Sequence, residues 1–368
     1  MKLSFRTRRV IISSPFYAIL NILIFYYIFS LFGEINYLGL SLIVLSLWII
    51  RVIPMFFEEK ESTRLGRFLS TIDGVWIWFM IMMIIYIAVI SIINYFIPVP
   101  TIYVKLIFLT IPIIGVYSYI NAHRIKIKEK TLQIDNISRE YNIAHLSDVH
   151  FGSIRHKDII KDLTDKLIEL SDYCDLVFIS GDLADGSCAV KEDDLIELKK
   201  VDIPIIFTSG NHDYYPGVDN VHKACKKAGI IILENSGMEY EDLNIYGLSY
   251  SFDKIPMPSE KELQEFIKTD KVNIVNYHIP NGWDKLLEIG FNIQLSGHTH
   301  GGQFYPVTWL GNLVYEGHNM GLFEKEVNQT KNYLHVTTGL GSMDMPMRWG
   351  TNSEIVILKL RKLNNKNQ

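Results

Sequence analysis

Cysteine is scarce. The chain of 368 residues has 3, Cys174, Cys188 and Cys225, with no CxxC pair and one left over. That pattern argues against a disulfide framework and fits a reducing compartment, with all three expected as small buried apolar residues. Charge is missing altogether from residues 75–97. Acidic residues are few in the first 120 positions, 5 against 9 Lys and Arg, whereas the rest of the chain holds 35 against 27. A part that acidic is not expected to hold a nucleic-acid polymer by bulk charge. Internal repeats and low-complexity linkers are also lacking.

What is present begins with four apolar runs: Val10–Phe32, Leu38–Phe57, Val75–Ile97 and Thr101–Ile120. Each is near the ~20 residues that a membrane-spanning helix needs. A cleaved signal peptide is excluded by the length of the first run and by the three that follow. A soluble helical bundle fails on residues 75–97, which show no polar face. Arg51 interrupts the second run and is expected to snorkel to the near interface, with Pro54 loosening the end. Lys2, Arg6, Arg8 and Arg9 precede the first run; Lys60, Arg64 and Arg67 lie between the second and third; Arg124, Lys126, Lys128 and Lys130 follow the fourth. The short loops Gly33–Tyr37 and Pro98–Pro100 carry no Lys or Arg. The positive-inside rule therefore predicts a multi-pass protein of the cell membrane with both termini cytoplasmic. The period-two pattern from Arg124 to Lys128 reads as a strand with one basic face, either for edge-strand solubility or for contact with anionic lipid.

From about residue 140 strands and helices alternate. Lys157 to Leu170 has helical apolar spacing, Asp194–Lys199, Val221–Lys227 and Glu260–Ile267 read as further helices, and Ser259 with Glu262 forms a capping box. From Gln303 onward strands are expected to dominate. Five strand ends carry polar groups in order: Asp148 and His150, Asp182 and Asp185, Asn211 with His212 and Asp213, His278, then His298 and His300. Strand ends on one side of an α/β sheet are where such folds place ligands. Mixed Asp, Asn and His ligands suit Mn, Fe, Zn or Co rather than Ca. No Cys lies among them, so a structural zinc finger is excluded. Two such cations close together make hydroxide from water and clamp both oxygens of an in-line displacement at phosphorus.

The set Asp148-x-His150, Gly181-Asp182-x-x-Asp185, Gly210-Asn211-His212-Asp213, His278 and Gly297-His298-x-His300 resembles the full motif series of the calcineurin-like metallophosphoesterases, over residues 140 to about 360. The Gly301-Gly302-Gln303 extension resembles the membrane-associated bacterial and archaeal branch. Asp213 stands where many members have Glu, at a position that is not a direct ligand in the family. The resemblance implies one metal on Asp148, His150, Asp182 and His300, and a second on Asp182, Asn211, His278 and His298, with Asp182 bridging. It implies His212 as the group near the leaving oxygen, with Asp185 orienting its imidazole. It also implies a four-layer α/β/β/α sandwich, here preceded by four transmembrane helices: residues 1–122 as the membrane domain and 123–368 as the catalytic domain.

Other histidines read differently. His145 and His335 lie in apolar strand patterns and are expected in the core; His123, His156, His222 and His318 are expected at the surface. Arg155 and His156 follow the first motif within reach of a substrate. The loop Gly339–Trp349 sets Met343, Met345, Met347 and Trp349 around Arg348, which is expected to bind a substrate phosphate while its neighbours meet an acyl chain or the bilayer. The expected activity is two-metal hydrolysis of a phosphomonoester, phosphodiester or pyrophosphate, with a membrane-associated lipid phosphate or nucleotide-activated lipid as substrate. The rivals are a phosphodiesterase for soluble or cyclic nucleotides that is merely anchored, and a non-catalytic membrane scaffold or sensor that retains its metal site.

Overall fold

The computed structural model describes residues 5–33, 35–58, 61–250, 257–327 and 329–362. Lys2, Lys60 and the polar tail from residue 363 lie outside the described residues.

The apolar runs form helices α1 (Phe5–Ser30), α2 (Tyr37–Glu58), α3 (Arg64–Phe96) and α4 (Thr101–Ala122). All four are long and apolar enough to cross a membrane. Thr63 caps α3, its side chain accepting from the Gly66 N–H. At 33 residues, α3 is roughly 50 Å long, well beyond the ~30 Å hydrocarbon core. The expected snorkelling of Arg51 is corrected. Its guanidinium turns inward, donating to Asp73 on α3 at 3.1 Å and to Ser13 on α1 at 2.9 Å, above the Tyr17 ring. An ion pair inside the helix group outcompetes a long reach to water, because Asp73 lies on the face of α3 turned toward α2.

Beyond Ala122 the chain runs β1 (Ile125–Ile134), β2 (Tyr141–Leu146), α5 (His156–Ser171), β3 (Leu176–Ser180), β4 (Ile205–Thr208), α6 (Val218–Lys227) and β5 (Ile231–Ile232). It continues with β6 (Ser236–Tyr240), β7 (Leu243–Leu248), α7 (Glu260–Phe266), β8 (Val272–Tyr277), α8 (Trp283–Ile289) and β9 (Ile293–Ser296). The last elements are α9 (Val307–Val314), β10 (Gly321–Val327), β11 (Thr330–Val336) and β12 (Ser353–Lys362). Two six-stranded sheets result, ordered β1-β12-β2-β3-β4-β5 and β10-β11-β9-β8-β7-β6. β2, β3 and β4 are parallel neighbours, as are β7, β8 and β9. Their apolar runs are buried on both faces, as parallel strands between layers require.

Helices α5 and α6 cover one sheet through Ile159, Leu163, Leu167 and Val221. The two sheets face each other across Tyr141, Phe178, Ile206, Ile274 and Leu358. Helices α7 and α8 cover the second sheet through Leu263 and Leu286. The four layers are those expected. Ser259 and Glu262 make the capping box in full. The helix expected over Asp194–Lys199 is instead a short 3₁₀ turn, Ile196–Lys200. After Gln303 strands dominate, as expected, with one helix, α9, before them.

The four helices pack on the α/β part. Trp78 meets Phe304 at 6.3 Å between ring centroids, and the Arg348 N–H donates to Ser118 of α4. Asn121 donates to the carbonyls of Arg348 and Thr351. Arg9 of α1 grips Asp344 with both Nη atoms, at 2.8 and 2.6 Å.

Candidate dimetal site

The polar groups that end β2, β3, β4, β8 and β9 meet at one rim, across the seam between the sheets. Asp148, His150 and His300 bring ligand atoms together in one cluster, and Asp182, His278 and His298 in a second. In the first, Asp148 Oδ1 lies 3.3 Å from His300 Nε2, and the Nε2 atoms of His150 and His300 are 2.9 Å apart. In the second, Asn211 Oδ1 stands 3.1 Å from His278 Nε2 and 3.0 Å from His298 Nδ1. Asp182 faces both. Its Oδ2 is 3.2 Å from His278 Nε2 and 3.9 Å from His150 Nε2, while its Oδ1 accepts from the His212 N–H at 2.7 Å. The seven residues expected as ligands are thus together. Asp148 Oδ1 is fully buried and has no hydrogen-bond partner, an orphaned acceptor that a cation would satisfy. Oxygen and imidazole donors in two sets that share one carboxylate fit a pair of borderline divalent cations.

Protonation is divided among the imidazoles. Burial pushes His150 down to about 3, with His300 adding to the effect, and His298 down to about 4, with His278 adding. Both are neutral at pH 7 and keep a lone pair. Burial also opposes charge on His278, but the Asp182 carboxylate outweighs it and raises the group to about 9. His278 Nδ1 donates to the Ser180 carbonyl at 2.7 Å, which leaves Nε2 aimed at the cluster.

The local backbone is unusual. Asp148, His150, Asp182, His298 and His300 all have positive φ, between 48° and 71°. Non-glycine residues adopt this region at a cost of order 1–3 kcal/mol each, and they cluster where a site over-determines them. Glycine is required where the loops close on the ligands. A Cβ on Gly210 would lie 2.3 Å from Asp182 Oδ1, and one on Gly297 would lie 2.4 Å from Asp148 Oδ2. Asp213 is not a ligand; it accepts from the Ala184 and Gly210 N–H groups at 2.8 Å each and so ties two ligand loops together. Burial, then the nearby Asp182, pushes its carboxyl up to about 8. Beneath the rim, His145 touches His335 at 2.6 Å and Ser180 at 2.7 Å, and Ser180 donates to Asn276. These two histidines are in the core, as expected. Ser147, bonded to Asp148 Oδ2, and Asn276 were not singled out from the sequence; Ser147 adjoins the first motif, but Asn276 carries no signal there.

Two expected roles change. His212 Nδ1 contacts the Asp185 main-chain carbonyl at 2.9 Å, whereas the Asp185 carboxylate accepts from Ser187 N and Oγ. The imidazole is held by backbone rather than by side chain. Arg348 is fully buried, and its Nη2 donates to the carbonyls of Gly339 and Gly341. Its guanidinium holds the Gly-rich loop and is not free for a phosphate. Arg155 pairs with Asp162 on α5. His123, His156, His222 and His318 are half-buried rather than exposed. The cation at the rim is instead Arg9, which the sequence presented only as an orientation signal. With Ser13, Arg51 and Asp73 from the helices, and Ser153, Asp185 and Asp344 from the rim, it lines a cleft of about 270 Å³.

This chain carries a calcineurin-like metallophosphoesterase domain: residues 141–302 match the family model described as Calcineurin-like phosphoesterase. Among relatives, an "Uncharacterized metallophosphoesterase" of Helicobacter pylori is 27% identical over 66% of this chain and 65% of its own length. Another of that name, from Aquifex aeolicus, is 26% identical over 68% of this chain and 97% of its own. A "Transmembrane protein with metallophosphoesterase domain" of Danio rerio is 27% identical over 68% and 61%. The match to the Helicobacter protein therefore spans just under two thirds of that relative.

Proposed function

We propose that this protein hydrolyses a membrane-associated phosphoester, of a lipid or a nucleotide-activated lipid, with its α/β part on the cytoplasmic side. The convergence of Asp148, His150 and His300 with Asp182, Asn211, His278 and His298 carries the reading. Two divalent cations held there supply a nucleophile from water and neutralise charge at phosphorus. Asp182 keeps the two clusters in register by facing both. His212, fixed through Nδ1, is the group that gives a proton to the leaving oxygen. The choice of a membrane substrate rests on the cleft between Arg9 and Asp185, one wall of which belongs to the apolar helices.

The test is a panel of lipid and nucleotide phosphates given to the Mn-loaded full chain in detergent and in bilayers. Hydrolysis of a lipid phosphoester, lost in Asp182→Ala together with bound metal, is the expected result. Turnover confined to water-soluble nucleotides would favour the anchored phosphodiesterase. Absence of turnover in the metal-replete protein would favour a scaffold or sensor.

A further inference from the structure

Helix α9 presents an apolar face that stays largely exposed among the described residues, with Tyr305 against Trp309. Trp309, Leu310, Leu313 and Val314 are 65%, 57%, 79% and 67% exposed. They fall at i, i+1, i+4 and i+5, on one side of the helix. The opposite side is fixed tightly. Thr308 is buried under Gly302, and Gly311 sits so close to Asn319 that a Cβ would approach its Oδ1 to 2.6 Å. The outward direction of the apolar side chains is therefore set by packing.

The depth of this helix follows from its neighbours. Phe304, three residues before α9, stacks edge-on against Trp78, and Val307 packs in the same cluster. Trp78 lies against Gly115 of α4. From Phe96, where α3 ends, Trp78 is 18 residues back, roughly 27 Å. From Thr101, where α4 begins, Gly115 is 14 residues on, roughly 21 Å. Both distances are shorter than a hydrocarbon core of about 30 Å. The layer of Trp78, Gly115 and Phe304 is therefore at or inside the near boundary of any bilayer that α3 and α4 cross, and tilt would only place it deeper.

We infer that α9 is an interfacial helix whose Trp309–Val314 face lies in the leaflet of the lipid bilayer nearest the α/β part. Its length, its Trp and the continuity with α3 match an element lying in the headgroup and acyl boundary rather than spanning it. The consequence for the site is direct. Ligand His300 opens the turn His300–Gly302 that leads into Phe304 and α9, and the His298 ring lies 6.0 Å from the Tyr315 ring just beyond α9. The metal rim is thereby held at the lipid surface, where a phosphoester in the headgroup layer reaches it without leaving the membrane. This last step rests on the proposed membrane substrate; the placement of α9 does not.

The test reads depth, not activity. Leu313→Cys takes a polarity-sensitive fluorophore, because Cys174, Cys188 and Cys225 are buried and stay unlabelled. The labelled full chain goes into nanodiscs at one copy per disc, with lipids doxyl-labelled high on the acyl chain, and Lys261→Cys serves as the control. The expected result is blue-shifted emission at position 313, quenched at least about threefold more than at 261. Emission at 313 open to aqueous iodide and unquenched by doxyl lipid overturns the inference. A blue shift that appears only with two copies per disc also overturns it, in favour of a second copy of the chain. If the depth holds while lipid phosphoesters are not turned over, the substrate reading fails and the interfacial helix stands.

Discussion

At the residue scale, the site is prepared for metal by unequal protonation. His150 and His298 are already neutral, whereas His278 holds a proton that a cation must displace. The sign follows. Below about pH 9 His278 is protonated in the metal-free protein, so metal binding releases about one proton at pH 7 and tightens as pH rises toward that value. Calorimetric titration of metal in buffers of different ionisation enthalpy measures the release; a buffer-independent heat at pH 7 would refute it. A second prediction concerns His212. Alkyl leaving groups need a proton and nitrophenolate does not. His212→Ala is therefore expected to slow alkyl phosphoesters by a further ~10²–10⁴-fold relative to nitrophenyl esters, with the metals retained. Asp185→Asn keeps the main-chain carbonyl that holds the ring, so its leaving-group ratio should stay within about threefold of wild type. Equal losses across a leaving-group series in His212→Ala would mean that this residue positions phosphate instead. The residues that cluster at the rim were legible in the sequence because Asp, Asn and His at five strand ends have few other uses. The holder of His212 was not, since a main-chain carbonyl has no residue type to announce it.

At the element scale, two arginines were misread for one reason: sequence shows a charge but not its partner. Arg51 and Asp73 pair between α2 and α3 with side chains 11% and 17% exposed. Removing one partner leaves an uncompensated charge, so Asp73→Ala should destabilise by about 3 kcal/mol, whereas Arg51→Leu with Asp73→Leu should recover most of that. Unfolding midpoints in detergent decide this; a double variant no better than the single one would show that the pair is not the source. Arg348 joins the carbonyls of Gly339 and Gly341. Arg348→Ala leaves the Gly341 carbonyl without its donor, whereas Gly339 still accepts from the Glu354 N–H, with an expected loss of about 1–3 kcal/mol. Unchanged stability with a raised KM for phosphoesters would return Arg348 to the substrate. Long elements were readable from periodicity, and α5 and the α7 capping box fell where expected. The eight residues of α9 were not. The sequence offers Gly and Pro before the helix and apolar residues facing outward, which reverses the usual helical pattern.

At the scale of the whole molecule, the four helices and the α/β part share an apolar contact, and that decides how the parts can be tested. Phe304 and Met347 are 2% and 1% exposed in the full chain because Trp78, Met82 and Ile111 cover them. Asn121 adds two hydrogen bonds to the loop carbonyls, and Arg9 holds Asp344 beside the rim. A fragment comprising residues 123–368 loses all of these. Its newly bared Phe304 and Met347 add to the apolar surface already exposed at Trp309, Leu310 and Leu313. Surfaces of that kind drive association. The fragment is therefore expected to elute as an aggregate without detergent and to become dispersed when detergent is added. Hydrolysis of a water-soluble nitrophenyl ester should then persist, because every proposed ligand from Asp148 to His300 is retained. Lipid phosphoester turnover should fall much further, since the Arg9 wall of the cleft is gone. Size-exclusion chromatography with light scattering, followed by both assays on the dispersed fragment, separates the outcomes. A fragment that is monodisperse in plain buffer would mean that the helices contribute no cover. Equal retention of both activities would mean that the membrane part anchors the catalytic part and does nothing more.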